Sequence, residues 1–303
     1  MSVHVSVPAS SANLGPGFDC LGLAVDLRLT VTANPADEDV FSYAGDGHVE
    51  DTPDNLMHTG FRAVFAALGE RAPTVRFDVA NPIPLARGLG SSSAALVAGA
   101  LAGDAFAGGP LGRDGVFDLT AGIEGHPDNV APALFGGFTV SAWRAGRFVT
   151  RRLPWPDGWA LAFAVPNWPL STEHARSVLP AEVTRSDAVH NAAGTALWAT
   201  AVATADPSLL GAAADDRLHQ PQRMPLLPGF EEACHDLTSA GAWAAFLSGA
   251  GPTLAAVGPP GTLHAAEPIL RRYAGDDGRV LHVGCADGAQ VNGVTPVSAS
   301  GRP

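Results

Sequence analysis

A glycine- and serine-rich segment at residues 84–94, PLARGLGSSSA, has the composition of a phosphate-binding loop. Gly88 and Gly90 would allow positive φ angles and a close approach of the main chain to a ligand. Ser91–Ser93 stand where a helix should begin, so the unpaired N–H groups of its first turn would form an anion site. The serine hydroxyls could cap the helix, bind a phosphate oxygen or ligate Mg²⁺. Taken alone, the segment also fits a glycine turn before a buried helix.

The absence of lysine restricts that chemistry. All 18 basic residues are arginine, which excludes a Walker-type lysine and a Schiff-base lysine. Any phosphate chemistry must therefore use backbone amides, arginine and metal. The net charge of −12 argues against nonspecific partners such as nucleic acids and anionic membranes, because both bind basic surfaces.

The cysteines and the apolar segments indicate a cytoplasmic protein. Cys20, Cys234 and Cys285 are far apart and form no CxxC pair, which argues against a disulfide framework or a zinc cluster. The first ten residues show no basic-then-apolar pattern, so we expect no secretory signal. Residues 237–266 contain no Asp, Glu or Arg, but glycines and prolines interrupt them. Two strands around a tight loop explain this segment better than a membrane span does.

The elements that must position these residues follow from hydrophobic periodicity. Alternating apolar residues predict strands at 3–7, 23–33, 74–80, 137–142, 160–165 and 279–283, and two more on either side of SGAGPT at 248–253. Helical spacing predicts helices at 54–68 (capped by Asp54), from about 91, and at 114–123, 172–179, 186–204, 207–217, 229–239 and 262–273. Residues 149–159 are charged and contain two prolines, which is typical of a linker. With 303 residues, 46% of them hydrophobic, the chain can form two α+β domains.

Three segments together resemble the GHMP kinase superfamily: residues 9–27, the loop just described and residues 247–255, LSGAGPTLA. Within that superfamily, the chain resembles the homoserine kinase family from residue 3 to about 290, because EGHPDNVAPALFGG and residues 172–176 also have that family's form. The resemblance implies a ribosomal-S5-like N-terminal domain at 1–155 and a ferredoxin-like C-terminal domain at 156–303. The active site would lie between them, and the tail after about 290 should be frayed.

The resemblance also implies a reaction and its cofactors. The γ-phosphate of ATP would move to the side-chain hydroxyl of L-homoserine, with Mg²⁺, to give O-phospho-L-homoserine in threonine biosynthesis. The metal ligands would be Ser92 and either Asp118 or Glu124, and Asn55 would lie near the purine. The predicted nucleotide-binding residues are Pro82, Ile83, Pro84, Leu85, Ala86, Arg87, Gly88, Leu89, Gly90, Ser91, Ser92 and Ser93.

The substrate's charges assign further residues. Homoserine carries an ammonium and a carboxylate, and a closed site must pair both because an unpaired buried charge costs several kcal/mol. Asp19 could bind the ammonium, and Arg176 or Arg223 the carboxylate. By resemblance, the substrate-binding positions are Asn13, Asp19, His126, Asn129, Arg176 and Arg223.

Asp128 and Arg176 are our candidates for the chemical step. Asp128 lies near the position at which mevalonate kinase-like members carry a catalytic aspartate, and it could accept the hydroxyl proton. Alternatively, the γ-phosphate itself takes that proton. His126 would orient the substrate, and the other nine histidines show no ligand spacing and are assigned structural roles.

Two other functions compete with this one: another small-molecule kinase of the superfamily, such as a mevalonate-type enzyme, and a non-catalytic nucleotide-binding module of the same fold. Mevalonate has no ammonium, so a role of Asp19 in binding an amine would distinguish a homoserine kinase from a mevalonate-type kinase. A homodimer is the default expectation for an enzyme of this size.

Overall fold

The computed structural model describes residues 2–52 and 54–295, which form two sheets covered by helices. In chain order the strands are β1 (Ser2–Ala12), β2 (Leu21–Pro35), β3 (Val40–Gly45), β4 (Val75–Asn81), β5 (Phe138–Arg144), β6 (Arg147–Leu153), β7 (Ala160–Val165), β8 (Ala244–Leu247), β9 (Leu254–Gly258), β10 (Arg279–Val283) and β11 (Gln290–Thr295). The helices are α1 (Leu56–Ala67), α2 (Ser91–Phe106), α3 (Gly112–Glu124), α4 (Val130–Phe135), α5 (Thr172–Ser177), α6 (Arg185–Thr204), α7 (Leu210–Ala213), α8 (Gln220–Arg223), α9 (Phe230–Ser239), α10 (Pro260–Ala265) and α11 (Glu267–Ala274).

The first sheet has seven strands, with the order β11-β1-β2-β4-β3 and the hairpin β5–β6 attached to β2. Its pairs are antiparallel except β3 with β4. In β1, Val3, Val5 and Val7 are buried, as the alternation of apolar residues requires. This sheet and helices α1–α4 share one hydrophobic core.

Helix α2 is held unusually close to α1. A Cβ at Gly60 would lie 2.2 Å from the carbonyl oxygen of Leu96, and one at Gly99 would lie 2.0 Å from that of Met57. Only glycine tolerates this approach, which explains the glycines at these two positions. The tight packing fixes α2 and therefore the position of its N-terminus.

The second sheet has the order β10-β7-β9-β8, and all its pairs are antiparallel. If β7, β8, β9 and β10 are numbered 1 to 4 along the chain, their spatial order is 4-1-3-2. This is the ferredoxin-like arrangement. Helices α9 and α11 pack against β8 and β7. The predicted α+β fold class with these two units is confirmed.

Two predictions about the chain's connections are wrong. Residues 149–153, assigned to a linker, belong to strand β6, which pairs with β5 from Phe138↔Leu153 to Arg144↔Arg147. Residues 290–295, assigned to a frayed tail, form β11 on the edge of the first sheet beside β1. Charged side chains are compatible with the exposed hairpin strand β6, and the polar residues of 290–295 are compatible with the edge strand β11, so composition misled both times. Residues 296–303 lie outside the described residues, and the division at 155/156 stays a prediction.

Smaller differences have local causes. Asn55, not Asp54, caps α1, because its side chain accepts a hydrogen bond from the Met57 amide at 2.9 Å. Strand β3 was not predicted, since it is a partly exposed edge strand without a regular apolar alternation. The helix predicted at 207–217 ends at Ala213, and Asp216 lies in the loop that precedes α8. Within the part of the chain that the structure describes, no helix is long and apolar enough to cross a membrane.

Candidate active site

A cavity of about 290 Å³ lies where the motifs of both sheets meet. Its wall includes the loop before α2, the turn between α3 and α4, the N-terminal part of α5 and the SGAGPT loop. The loop around residue 90 is therefore open to a ligand and not sealed in the core. Most of the residues that the sequence assigns to ligand binding line this one space.

The N-terminus of α2 opens into the cavity without a side-chain cap. Gly90 is the N-cap in a left-handed conformation, with φ at +68°, and a Cβ there would lie 2.0 Å from Ser10 Oγ. Ser91 Oγ accepts from Asn81 Nδ2 at 3.1 Å, and Ser93 Oγ donates to Glu124 Oε1 at 2.8 Å. Ser92 is exposed, and its hydroxyl has no hydrogen-bond partner among the described residues. The unpaired amides and this hydroxyl suit an anion.

The SGAGPT loop supports the glycine loop from behind. A Cβ at Gly88 would lie 2.2 Å from the Ser248 carbonyl oxygen, and Ser248 Oγ donates to the Gly88 carbonyl at 2.6 Å. The Thr253 amide also donates to the Arg87 carbonyl at 3.3 Å. The SGAGPT loop thus holds the main chain of the glycine loop in place.

All three guanidinium nitrogens of Arg87 donate to main-chain carbonyls of the protein. Its Nε donates to the Pro166 carbonyl at 3.0 Å, Nη1 to the Leu85 carbonyl at 2.8 Å, and Nη2 to the Asn167 carbonyl. These bonds tie the glycine loop to the second sheet. The part of the cavity wall from Gly88 to Ser93, where the sequence predicts phosphate binding, is called the phosphate end below. Because Arg87 is bonded to carbonyls, the hydrogen-bond donors that this end offers a ligand are mainly neutral.

Not every residue of the predicted nucleotide segment reaches a ligand. Ile83 is fully buried in the core, and Pro82 lines neither this cavity nor the adjoining one. Leu85 lines the adjoining cavity but not the main one, while Pro84 and the residues from Ala86 to Ser93 line the main one. The apolar side chain of Ile83 anchors the transition from β4 to the glycine loop in the core, so it faces neither cavity.

The adjoining cavity has a volume of about 350 Å³ and is largely apolar. Phe41, Tyr43 and Met57 contribute to its wall, and it shares Ser91 and Ser92 with the phosphate end of the main cavity. Its apolar and aromatic lining suits a flat aromatic base. The side chain of Asn55 also lines it, although its oxygen is used to cap α1.

Arg176 lines the other end of the main cavity and binds Asp19 beside it. Arg176 Nη2 donates to Asp19 Oδ1 at 2.6 Å and Nη1 to Oδ2 at 3.1 Å. Each side chain is about one-third exposed, at 36% for Arg176 and 34% for Asp19. The sequence predicted two separate ligand-binding groups, whereas the structure shows a bidentate ion pair that joins them.

Arg223 is the most deeply buried charged group of the cavity wall, with 1% of its surface exposed. Its Nε donates to the Ala175 carbonyl at 3.0 Å, and Nη1 donates to His219 Nδ1 at 3.0 Å and to the Gly249 carbonyl at 3.2 Å. Among the described residues no carboxylate forms an ion pair with it, and Nη2 has no partner. Burial and the nearby Arg176 lower the pKa of Arg223 to about 10. Such a site favours an anionic ligand.

His126 and Asp128 form a third charged group in the wall. His126 Nδ1 lies 2.7 Å from Asp128 Oδ1, and Asp128 is 2% exposed. Burial alone would lower the pKa of His126, but the hydrogen bond and charge of Asp128 outweigh it and raise that pKa. One ligand atom from each of Asp19, His126 and Asp128 lies within 4.8 Å of the others, so the cluster can surround a cation.

The two predicted metal carboxylates lie in different places. Glu124 lines the cavity beside Ser92 and accepts from Ser93, whereas Asp118 is exposed and does not line it. Six positions on an α-helix rotate a side chain by about 240°, so α3 cannot present both residues to one site. Of the two alternatives, the structure brings only Glu124 to the cavity.

The two predicted asparagines use their amides within the protein. Asn13 Nδ2 donates to the Gly249 carbonyl at 3.0 Å, and its Oδ1 accepts from the Asp19 amide at 3.0 Å. Asn129 Oδ1 accepts from Ser10 Oγ at 2.9 Å. Both line the cavity, and both hold neighbouring loops in place.

Sequence reasoning missed His219, which contacts Arg223 and is fully buried. The available signal was its position four residues before Arg223, the spacing at which helical side chains meet.

Comparison with known proteins identifies the family of this chain. The family described as GHMP kinases N terminal domain matches residues 55–137, and GHMP kinases C terminal matches 198–275. A homoserine kinase of Thermus thermophilus is 51% identical over 93% of this chain and 96% of its own length. That of Moorella thermoacetica is 44% identical over 83% of this chain and 86% of its own length.

A solved structure is similar over nearly the whole chain. The crystal structure of homoserine kinase from Cytophaga hutchinsonii superposes with a TM-score of 0.85 at 26% identity and covers 96% of this chain and 97% of that one. The chain belongs to the homoserine kinase family of GHMP kinases.

Proposed function

We propose that this protein transfers the γ-phosphate of ATP to the side-chain hydroxyl of L-homoserine, which yields O-phospho-L-homoserine for threonine biosynthesis. The observation that carries the proposal is Arg223, a buried cation without a carboxylate partner among the described residues, at the end of the cavity where Arg176 holds Asp19. A ligand with a carboxylate and an ammonium satisfies both kinds of charge. Family membership favours this function over a mevalonate-type kinase or a non-catalytic module.

The nucleotide would occupy the two adjoining cavities. Its base fits the apolar cavity around Phe41 and Tyr43, and its phosphates fit the uncapped N-terminus of α2. Since Ser91 and Ser92 line both cavities, a single ligand can extend from one into the other. This arrangement would bring the terminal phosphate next to the charged cluster.

The residues present suit Mg²⁺. Ser92 has an unpartnered hydroxyl, and Glu124 has a carboxylate in the same cavity wall, both of which are hard oxygen donors. Mg²⁺ commonly uses one or two such protein ligands together with substrate phosphates. When bound, it would neutralise phosphate charge that this lysine-free loop cannot. Ser93 would hold Glu124 in orientation through its 2.8 Å hydrogen bond.

The substrate would exchange with an existing ion pair. In the free protein Arg176 holds Asp19, and a pair this exposed contributes only about 0–1 kcal/mol. A zwitterion can replace it at little cost, because its ammonium takes Asp19 and its carboxylate takes Arg176 and Arg223. A ligand with only one charge would leave one member unpaired. The exchange thus selects an amino acid over a hydroxy acid.

Asp128 would accept the hydroxyl proton as the phosphoryl group is transferred. It is buried in the cavity wall, and His126 holds one carboxylate oxygen. Arg176, once released from Asp19, would hold the substrate's carboxylate and so orient the hydroxyl toward the phosphate. A cytoplasmic location and a homodimer stay predictions.

The direct test is ADP release with MgATP across homoserine, mevalonate, galactose and shikimate, with the product identified by ³¹P NMR. Only homoserine should respond, and omission of Mg²⁺ should abolish the signal. ADP release with mevalonate but not homoserine would overturn the proposal. Nucleotide binding without turnover of any of the four would favour a non-catalytic module.

A further inference from the structure

His219 connects the buried arginine to the first glycine loop. Its Nδ1 lies 3.0 Å from Arg223 Nη1, and its Nε2 lies 2.7 Å from the carbonyl oxygen of Gly15. The ring is fully buried, with Phe18 packed against it at a centroid distance of 5.3 Å. The histidine therefore joins residues that are more than 200 positions apart in the sequence.

The partners define which nitrogen carries the proton. Arginine can only donate a hydrogen bond, so Nδ1 of His219 must be unprotonated to accept from Arg223. A carbonyl oxygen can only accept, so Nε2 must carry the hydrogen that points to Gly15. A doubly protonated ring would face the Arg223 donor with an N–H group. Burial lowers the pKa of His219, which keeps the ring neutral.

The carboxylate of Asp216 binds the main-chain amides around His219 and so fixes the turn that carries this histidine. This carboxylate accepts from the amides of Leu218, His219 and Gln220 at 2.9, 3.1 and 2.6 Å, and from Asn191 Nδ2 at 2.7 Å. These four hydrogen bonds hold the turn that presents His219 in the absence of a ligand.

The hydrogen bonds of Arg223 explain what the contact does. The Ala175 and Gly249 carbonyls and His219 Nδ1 occupy Nε and Nη1, so Nη2 is the nitrogen left for a ligand. Rotation of the guanidinium would require loss of these bonds. Of the three acceptors, His219 Nδ1 is the only one that belongs to a side chain and so can be changed by substitution.

We propose that His219 is a positioning residue that, as the Nε2–H tautomer, orients Arg223 so that its Nη2 meets the substrate carboxylate. The inference rests on the proposed function, because it takes the carboxylate of an amino-acid substrate as the ligand of Arg223. It adds a residue that acts through Arg223 and does not itself touch the substrate.

Two substitutions test the roles of the two ring nitrogens of His219 separately. In His219→Asn the amide oxygen lies near the former Nδ1 and can still accept from Arg223, whereas His219→Gln places its amide near the former Nε2 and serves Gly15 only. The Gln variant should raise KM for homoserine at least about tenfold, the size expected for one weakened charge-assisted hydrogen bond. The Asn variant should raise it less than about threefold. KM for ATP should stay within about twofold in both.

A double-mutant cycle distinguishes the positioning of Arg223 from a general structural effect of replacing His219. In an Arg223→Met background, His219→Gln should raise KM for homoserine no further, because the residue it positions is gone. An equal increase in both backgrounds, or a larger effect of Asn than of Gln, would overturn the proposal. Wild-type turnover of homoserine is the control for the proposed function itself, so the two failures are distinguishable.

A measurement on the unmodified protein covers the case in which the variants do not fold. In ¹⁵N-histidine-labelled protein at neutral pH, the His219 signals should show a protonated Nε2 and an unprotonated Nδ1. A protonated Nδ1 would be incompatible with the hydrogen bond from Arg223 and would sink the proposal.

Discussion

The phosphate end and the amino-acid end of the cavity present different polar groups. At the phosphate end, the loop from Gly88 to Ser93 offers main-chain amides and hydroxyls, and Arg87 is bonded to carbonyls. At the amino-acid end, Asp19, Arg176 and Arg223 carry full charges. Apart from Glu124 and the carbonyl-bonded Arg87, the first end is built from neutral groups, whereas the second end carries ionised side chains.

The difference follows from what each end must recognise. A triphosphate is bound by many short contacts, which a helix N-terminus supplies without a specific side chain. A small amino acid is distinguished from the corresponding hydroxy acid only by its ammonium, so a protein that selects the amino acid must place a negative charge for the ammonium beside the cations that bind the carboxylate. A chain without lysine can therefore bind phosphate if metal neutralises it, and its arginines remain for the substrate.

The prediction with the largest expected effect concerns the proposed proton acceptor. Asp128→Asn should lower kcat by about 10²–10⁴-fold, because it removes the proposed proton acceptor but keeps a polar partner for His126. Steady-state kinetics should show KM for homoserine nearly unchanged. If kcat fell less than about threefold, the γ-phosphate and not Asp128 would take the proton.

Arg223→Met should raise KM for homoserine about 100-fold, since it removes the buried partner of the carboxylate while approximately keeping the volume. KM for ATP should change less than about threefold, because the phosphate end does not use this residue. A parallel rise in both constants would show that the two ends are not separate. Thermal unfolding checks that the variant is folded.

Glu124→Gln should raise the Mg²⁺ concentration for half-maximal activity by at least about tenfold, because it removes the carboxylate that the phosphate end offers the metal. Asp118→Asn is the matched control on the same helix and should leave the Mg²⁺ dependence unchanged. Equal behaviour of the two variants would remove Glu124 from the metal site.

Asp19→Asn should weaken discrimination between homoserine and 4-hydroxybutyrate, which lacks the ammonium. We expect KM for homoserine to rise about tenfold, since a charge-assisted hydrogen bond becomes a neutral one. The weak activity with 4-hydroxybutyrate should change little. Unaltered discrimination would mean that another group binds the ammonium.

Arg87→Met should have the smallest catalytic effect, with KM for ATP within about threefold of the wild type. Its N–H groups already donate to the Leu85, Pro166 and Asn167 carbonyls, so the main loss should be thermal stability. A tenfold rise in KM for ATP at unchanged stability would show that Arg87 leaves these carbonyls to bind phosphate. The contrast between the two ends would then fail.

Local signals predicted the phosphate end well. Helix α2 begins at Ser91, as its composition and the preceding glycines indicate, and the strand at 160–165 is observed with the same bounds. These features depend on neighbours within a few residues, which the sequence displays directly. The choice between capping, phosphate binding and metal binding for the serines remained open, because each hydroxyl's partner comes from another element.

The amino-acid end was predicted as a set of residues but not as a geometry. Asp19 and Arg176 are 157 positions apart, and no local pattern shows that they pair in the free protein. Arg223 was recognised by resemblance, whereas His219 was assigned a structural role although it contacts Arg223. Asp118 and Glu124 are both carboxylates on one helix and differ in rotation about its axis and in height along it, which becomes decisive once α3 is packed.

The sequence by itself determined the two-unit α+β fold, the glycine loop before a buried helix, and the absence of lysine that assigns phosphate binding to main-chain amides. Tertiary structure alone decided that β11 returns to β1, that Asp19 and Arg176 bind each other, and that His219 holds Arg223. The physical reason is range. Backbone conformation and burial follow from short stretches of residues, whereas partners of charged groups are chosen when distant segments are packed together.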